Sequence, residues 1–270
     1  MKTHRSKVFA LSAMIILAAS VSVFSESWET LLKRVKAKYE KFENEIKDMT
    51  IQQKIDVYTP TGMVSSVMKA LKKGEKFRIE VETEIPQTPG MPEGMNSMKN
   101  IVIHNGNETW MISPFLGKSR LSDAEESRYQ LEKNWWEYLS GKARITGTET
   151  ISKRECYIID FDKQPDTPYT KLWLDKNDLI LVKGESEIIQ DQHMTWIFSD
   201  FRNIKAGWEF PYRTDVYSAG KAVSVSTVES VLINKGIDDS LFDPQKADAP
   251  AGGLNDIMKM MDNMNKESGK

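Results

Sequence analysis

The sequence predicts a mainly β protein with helices (α+β): a strongly curved antiparallel sheet covered by an N-terminal helix and a second helix. Three observations carry that expectation. Between residues 154 and 233, short runs rich in β-branched and aromatic residues are separated by tight polar turns such as Gln164-Pro165-Asp166 and Ala219-Gly220-Lys221, the pattern of a meander rather than of strand-helix-strand units. In residues 101–112, two β-rich arms meet at Asn105-Gly106, which reads as a hairpin with a tight primed turn, too apolar to stand without neighbours. Helical spacing within the body of the chain is confined to residues 27–49 and 122–141. A sheet with this many strands twists and curls.

The elements follow in order. Trp28, Leu31, Leu32, Val35, Tyr39, Phe42, Ile46 and Met49 recur at steps of three and four, which predicts one amphipathic helix of about six turns. In residues 50–58, Ile51, Ile55 and Val57 fall on one strand face, Thr59-Pro60-Thr61-Gly62 turns the chain, and residues 63–70 continue as a strand to the turn Lys73-Gly74-Glu75-Lys76. Phe77, Ile79 and Val81 then alternate with Arg78, Glu80 and Glu82, the mark of a strand with one wet face. Pro86, Pro89, Pro92, Gly90 and Gly94 exclude helix and ladder between residues 84 and 100, leaving Met91, Met95 and Met98 exposed on a loop. In the second arm of the central hairpin, Trp110 and Ile112 share one face and Met111 takes the other. Ser122-Asp123-Ala124-Glu125 starts the second helix, whose Tyr129, Leu131, Trp135, Trp136 and Leu139 lead to a stop at Gly141. Strands are expected at 154–162, 169–175, 179–189, 193–204, 208–217 and 222–233.

The ends set the address. Lys2, Arg5 and Lys7 precede an uncharged apolar and small-residue stretch, residues 8–24, and Val23-Phe24-Ser25 offers modest side chains where a signal peptidase reads. Residues 1–25 therefore read as a signal peptide cleaved near Ser25, too short and too interrupted by Ser12, Ser20 and Ser22 to favour a membrane span. Loss of those three cations takes the formal net charge from −2 to −5. Such a balance gives no electrostatic footprint for nucleic acid. Cys156 is the single cysteine, so no internal disulfide forms, and its strand-like context makes it a small buried hydrophobe. One folded domain is expected over 26–246, followed by a flexible Met-rich tail, 247–270. Seven of the 14 methionines lie in residues 84–100 and 247–270, where adaptable thioethers suit an apolar groove.

No chemistry of catalysis is visible. His104 and His193 are the imidazoles outside the leader, His104 reading as a solvated residue beside the Asn105-Gly106 turn and His193 as the start of a strand. Paired metal-ligand motifs, a nucleophile elbow, a phosphate loop and a dinucleotide fingerprint are all missing, so neither an enzyme nor a metal or cofactor is expected. What remains is apolar surface. Trp110, Trp173, Trp196, Phe198 and Phe210, with Phe77, Ile79 and Ile112, are plain core on the bland reading; on the sharper one they line a cavity that two helices are too few to fill.

Several landmarks in order resemble the bacterial outer-membrane lipoprotein-sorting and carrier family, LolA-like. They are the leading helix; Gly74-Glu75-Lys76-Phe77-Arg78-Ile79-Glu80; Asn105-Gly106-Asn107-Glu108-Thr109-Trp110 followed by Ser113-Pro114; Gly147, Glu149 and Glu155-Cys156-Tyr157; Leu172-Trp173-Leu174-Asp175; and Asp239-Ser240-Leu241-Phe242-Asp243-Pro244. The resemblance implies that the curved sheet forms an unclosed β-barrel, a LolA-like half-barrel over 26–246 whose concave apolar side, lidded by helices, takes lipoprotein acyl chains or lipid across the periplasm. It implies as partners an inner-membrane export complex and an outer-membrane acceptor. A periplasmic sensor or interaction module of the same fold, binding a membrane-protein partner, is the alternative. Where the well-studied carrier has an Arg-Pro pair whose Arg helps latch the lid, this chain has Lys73-Gly74, and an ammonium cannot reproduce a planar guanidinium fork.

Overall fold

The computed structural model describes residues 26–85, 96–114, 117–122, 125–126, 134–139, 143–162, 167, 169–189, 192–205 and 207–247. The expected signal peptide and all of the expected tail except Ala247 lie outside them. One helix, α1 (Trp28–Glu45), precedes thirteen strands: β1 (Asp48–Thr59), β2 (Gly62–Lys73), β3 (Lys76–Glu84), β4 (Ser97–His104), β5 (Thr109–Ser113), β6 (Gly117–Arg120), β7 (Ala143–Ile151), β8 (Arg154–Phe161), β9 (Lys171–Asp175), β10 (Leu181–Ile189), β11 (Gln192–Lys205), β12 (Trp208–Ser218) and β13 (Lys221–Ile233). They form a single antiparallel sheet in the order β6-β5-β4-β3-β2-β1-β13-β12-β11-β10-β9-β8-β7. The first and last strands meet in the middle, and β6 and β7 are left unjoined at the two edges, so the barrel is unclosed.

Helix α1 starts where Ser27 accepts a bond from the Thr30 amide and ends at Glu45, about one turn short of the expected Met49. The apolar spacing does continue, but the chain must enter the central strand. Asn234 enforces the exit: its side-chain oxygen accepts from the Lys47 amide at 2.7 Å, and its amide donates to the Glu45 carbonyl at 2.8 Å.

The hairpin of β4 and β5 is present, but its turn differs from expectation. His104 opposes Thr109, leaving a four-residue loop in which the Asn105 side chain accepts from the Asn107 and Glu108 amides. That Asx geometry replaces the two-residue primed turn, and Gly106 supplies the positive φ, 99°. Met98 is a correction too: it is a partly buried β4 residue opposite Thr83, not a loop residue. Of the expected second helix, the described residues show helical Glu125 and Glu126 and a 3-10 turn, Trp135–Tyr138; residues 127–133 lie outside the description. Strands β6 and β7 had no counterpart in the sequence reading.

Among the described residues, two of three buried clusters join the sheet to its flanking segments. Leu31, Val35 and Tyr39 of α1 pack with Ile159, Phe161, Leu172, Leu174, Leu181 and Trp208, joined by Trp135, Trp136 and Leu139 from the 3-10 segment. Elsewhere, Ile237, Phe242 and Ala247 of the segment after β13 pack with Leu71, Ile101, Ile103 and Ile112. The Asp48 carboxylate fixes the start of that segment by accepting from the Lys235 and Gly236 amides. Lys73 and Lys76 grip Asp239 at 2.9 and 3.0 Å, and the Arg78 guanidinium donates to the Leu241 carbonyl at 3.0 Å. At Lys73-Gly74, then, the cation ties down the C-terminal segment, its ammonium also reaching the Ile237 carbonyl at 2.9 Å.

Candidate functional site on the helix-bearing face

In an antiparallel ladder, directly opposed residues point to the same side, so the register carries a face from strand to strand. Phe198, which packs on the α1 core, opposes Thr214; Thr214 opposes Ser226; and Ser226 opposes Ile55. Ile51, two alternations from Ile55, therefore lies on the helix-bearing face. One register row through it reads Val231, Ile51, Ala70, Ile79, Val102 and Met111, all apolar, on six adjacent strands from β13 to β5. Every residue of this row is partly exposed, and none belongs to a buried cluster among the described residues. Five inter-strand steps of about 4.8 Å give the row a length of about 24 Å.

The cover over this face is one-sided. Helix α1 contacts the β9–β10 turn through Tyr39, whose hydroxyl donates to the Leu179 carbonyl at 3.1 Å, and through Arg34 and Lys38, which reach the Lys176 and Asp178 carbonyls. At the β11–β12 turn its Glu45 pairs with Lys205 at 2.9 Å and the Phe42 ring lies 4.7 Å from Trp208. These turns all lie at one end of the sheet, so α1 closes that end over the β8–β12 half. The 3-10 segment adds Trp136, stacked on Tyr39 at 4.1 Å, and Tyr138, edge-on to Tyr169 at 5.8 Å. Burial pushes the Tyr169 phenol up to about 12, raises the Tyr39 phenol further, and holds the Lys38 ammonium below its ordinary range.

The structure divides the eight sequence-predicted lining residues between the two faces. Phe77, Ile79, Trp196, Phe198 and Phe210 lie on the helix-bearing face, as their pairings with His104, Val102, Val216, Thr214 and, two residues along β12, the core residue Trp208 require. Phe77 stacks on His104 at 5.3 Å, Trp196 meets Tyr169 edge-on at 6.4 Å, and Phe210 meets Tyr212 at 6.4 Å. Trp110, Ile112 and Trp173 lie on the opposite face. Ile112 is fully buried in the core shared with Phe242. Trp110 opposes Ile103 and donates to Glu108 at 3.2 Å. Trp173 packs with Cys156, Ile180 and Val182, donates to Glu149 at 2.6 Å, and has the Lys183 ammonium 3.8 Å from its ring centroid.

Of this row, sequence reasoning named only Ile79 as a lining residue and passed over Val231, Ile51, Ala70, Val102 and Met111, because it weighed aromatics above other apolar side chains. The usable signal was the register: the turn that opposes Lys73 to Lys76 places Ala70 against Ile79.

Several polar and ionisable side chains are engaged within the sheet. His104 is not a solvated turn residue but a half-buried strand residue, its Nδ1 3.0 Å from Thr109 Oγ1. Cys156 is fully buried, its thiol pushed up to about 11 by burial and by the nearby Asp175, and it donates to the Arg154 carbonyl. Arg154 is occupied by Glu209 at 2.7 Å and Asp178 at 3.2 Å. Among the described residues, no three His, Cys, Asp or Glu side chains are grouped to hold a metal, and no helix is long and apolar enough to cross a membrane.

The sequence matches no protein-family model and no curated protein. Solved structures do match it. A putative outer membrane lipoprotein-sorting protein domain from Vibrio parahaemolyticus superposes with a TM-score of 0.59 at 14% identity, covering 82% of this chain and 100% of that one. A DUF1329 family protein from Desulfovibrio piger gives 0.57 at 16% identity, covering 80% and 95%. A LolA superfamily protein from Nitrosomonas europaea gives 0.51 at 16% identity, covering 81% and 98%. At such identities the likeness is one of architecture, and it joins the open thirteen-stranded sheet and its single leading helix in one conclusion: the chain has the LolA-like fold.

Proposed function

We propose that this protein is a non-enzymatic, exported carrier that binds the acyl chains of a lipoprotein or lipid against the row Val231, Ile51, Ala70, Ile79, Val102 and Met111. The single observation that supports this is the row itself: six apolar side chains in register on the face that bears the helix, left outside all three buried clusters. Its length suits an extended fatty acyl chain, and each methylene it covers contributes about 0.8 kcal/mol. Phe77, Trp196, Phe198 and Phe210 flank the row on the same face, whereas Trp110, Ile112 and Trp173 act through packing. Residues 1–25 direct export to the periplasm, where the likeness to the sorting-domain and LolA-superfamily structures makes outer-membrane delivery the natural role. An inner-membrane export complex as donor and an outer-membrane acceptor complete that role.

Native mass spectrometry of the exported protein, purified without detergent, tests the reading. The expected result is a population carrying an added lipid or lipoprotein mass, lost in Ile79→Glu. An unliganded mass alone, with no uptake when the protein is incubated with a diacylated peptide, overturns it.

A further inference from the structure

The turn joining β1 to β2 stands out in a chain that is 28% charged: residues 57–68 carry no charge at all. Around it lie four of the six large hydrophobic side chains exposed among the described residues, Val57 at 38%, Tyr58 at 46%, Met63 at 54% and Val67 at 45%. Tyr58 opposes Met63, and Val67 shares their face; Val57 opposes Val64 on the helix-bearing face, so the tip is apolar on both sides. Two of the flanking cations are ion-paired, Lys54 with Asp56 at 3.1 Å and Arg213 with Asp215 at 2.6 Å, while Lys69 follows the stretch and Lys221 lies in the neighbouring β12–β13 turn. The turn also sits at the end of the sheet away from α1, next to the β12–β13 turn, since Val57 opposes Ser224. From Val57, three alternations along the same face of β1 lead to Ile51 in the apolar row.

We propose that this hairpin tip is a membrane-contact element that seats in the interfacial layer of a zwitterionic bilayer. The proposal rests on the carrier reading, because it supplies the route by which a chain passes between bilayer and row without crossing water. The chemistry fits the interface. A tyrosine places its ring among acyl chains and its hydroxyl among headgroups; methionine and valine bury without a polar remainder; and no charge has to be desolvated. The tip itself is uncharged and a zwitterionic bilayer has no net charge for the flanking Lys69 and Lys221 to attract, so attachment to it is driven by apolar burial and is insensitive to salt.

Flotation of the full mature chain with phosphatidylcholine vesicles tests it, with the double variant Tyr58→Asp, Met63→Asp alongside. The wild type floats with the vesicles equally at low and high salt, and partitioning of the variant falls by about tenfold or more. Both substituted side chains are on the face opposite the row, so displacement of a fluorescent fatty acid in vesicle-free buffer is unchanged in the variant, and its thermal unfolding confirms the fold. Flotation of neither protein, equal flotation of both, or wild-type self-association that the variant abolishes overturns the membrane-contact assignment. Absence of fatty-acid binding in both proteins instead overturns the carrier reading on which it rests.

Discussion

The two halves of the sheet are covered by chain segments on opposite faces. In β7 to β12, the helix-bearing face is filled: Leu31, Val35, Ile159, Leu172 and Leu174 are all fully buried there. In β2 to β5, the filled face is the other one, where Ile103, Ile112 and Phe242 are buried at 0–1% exposure while Ile79, Val102 and Met111 remain partly open. The difference follows from which end of the chain reaches each half. The segment before β1 folds back across the far strands, and the segment after β13 wraps onto the near ones from the opposite side. Because β1 and β13 pair in the middle, both covers leave from the same place and diverge. A sheet with one cover per half, on alternate sides, keeps an apolar face that neither cover serves.

The largest effect that separates the halves is expected from Phe242→Ala. Phe242 is 1% exposed and anchors the C-terminal cover, so its loss destabilises by about 3–5 kcal/mol in urea unfolding. Acyl binding by the protein that remains folded is unchanged; a loss of binding would mean the two faces are coupled. Cys156→Ser comes next, about 1–3 kcal/mol, since it puts a hydroxyl among Trp173, Ile180 and Val182. In the native wild type, the rate of Cys156 alkylation follows the rate of unfolding, because the thiol is buried and its deprotonation is pushed up to about 11. Ile79→Glu has the reverse signature to Phe242→Ala: stability shifts by about 1 kcal/mol or less, because the side chain is already partly in water, and lipid occupancy is lost.

The smallest effect is on the ion pairs of the C-terminal cover. Lys73, then Lys76, hold the Asp239 carboxyl below the ordinary aspartate range. A folded value lower than the unfolded one gives stabilisation that is present above the unfolded value and disappears as pH falls through the folded one. Asp239→Asn therefore trims stability slightly at neutral pH and flattens the acid limb of the stability curve, with little effect above physiological salt. An unaltered acid limb would show that the Asp239 ion pairs add nothing to the hold on the cover.

The meander, the leading helix and the positions of most strands are legible in the sequence because period-two alternation and turn residues act locally. Phe77, Ile79 and Val81 against Arg78, Glu80 and Glu82 needed no tertiary information. Strand β6, Gly-Lys-Ser-Arg, has no intrinsic preference to read and exists because β5 offers it a ladder. The end of α1 was misplaced because Asn234, almost two hundred residues away, sets it. The same limit applies to the site. Alternation shows that Trp110 and Ile112 share a face, but which face meets the helix depends on pairings that run through β13. The segment that buries Ile112, residues 237–247, carries no strand or helix signal announcing it as a cover.

Paramagnetic broadening by a spin-labelled fatty acid, read on assigned methyl groups, tests the division of the two faces most directly. The account predicts loss of signal from Val231, Ile51, Ala70, Ile79, Val102 and Met111, with Ile103 and Ile112 on the same strands less affected. Broadening concentrated on Ile103 and Ile112, or spread evenly over both faces, would contradict it.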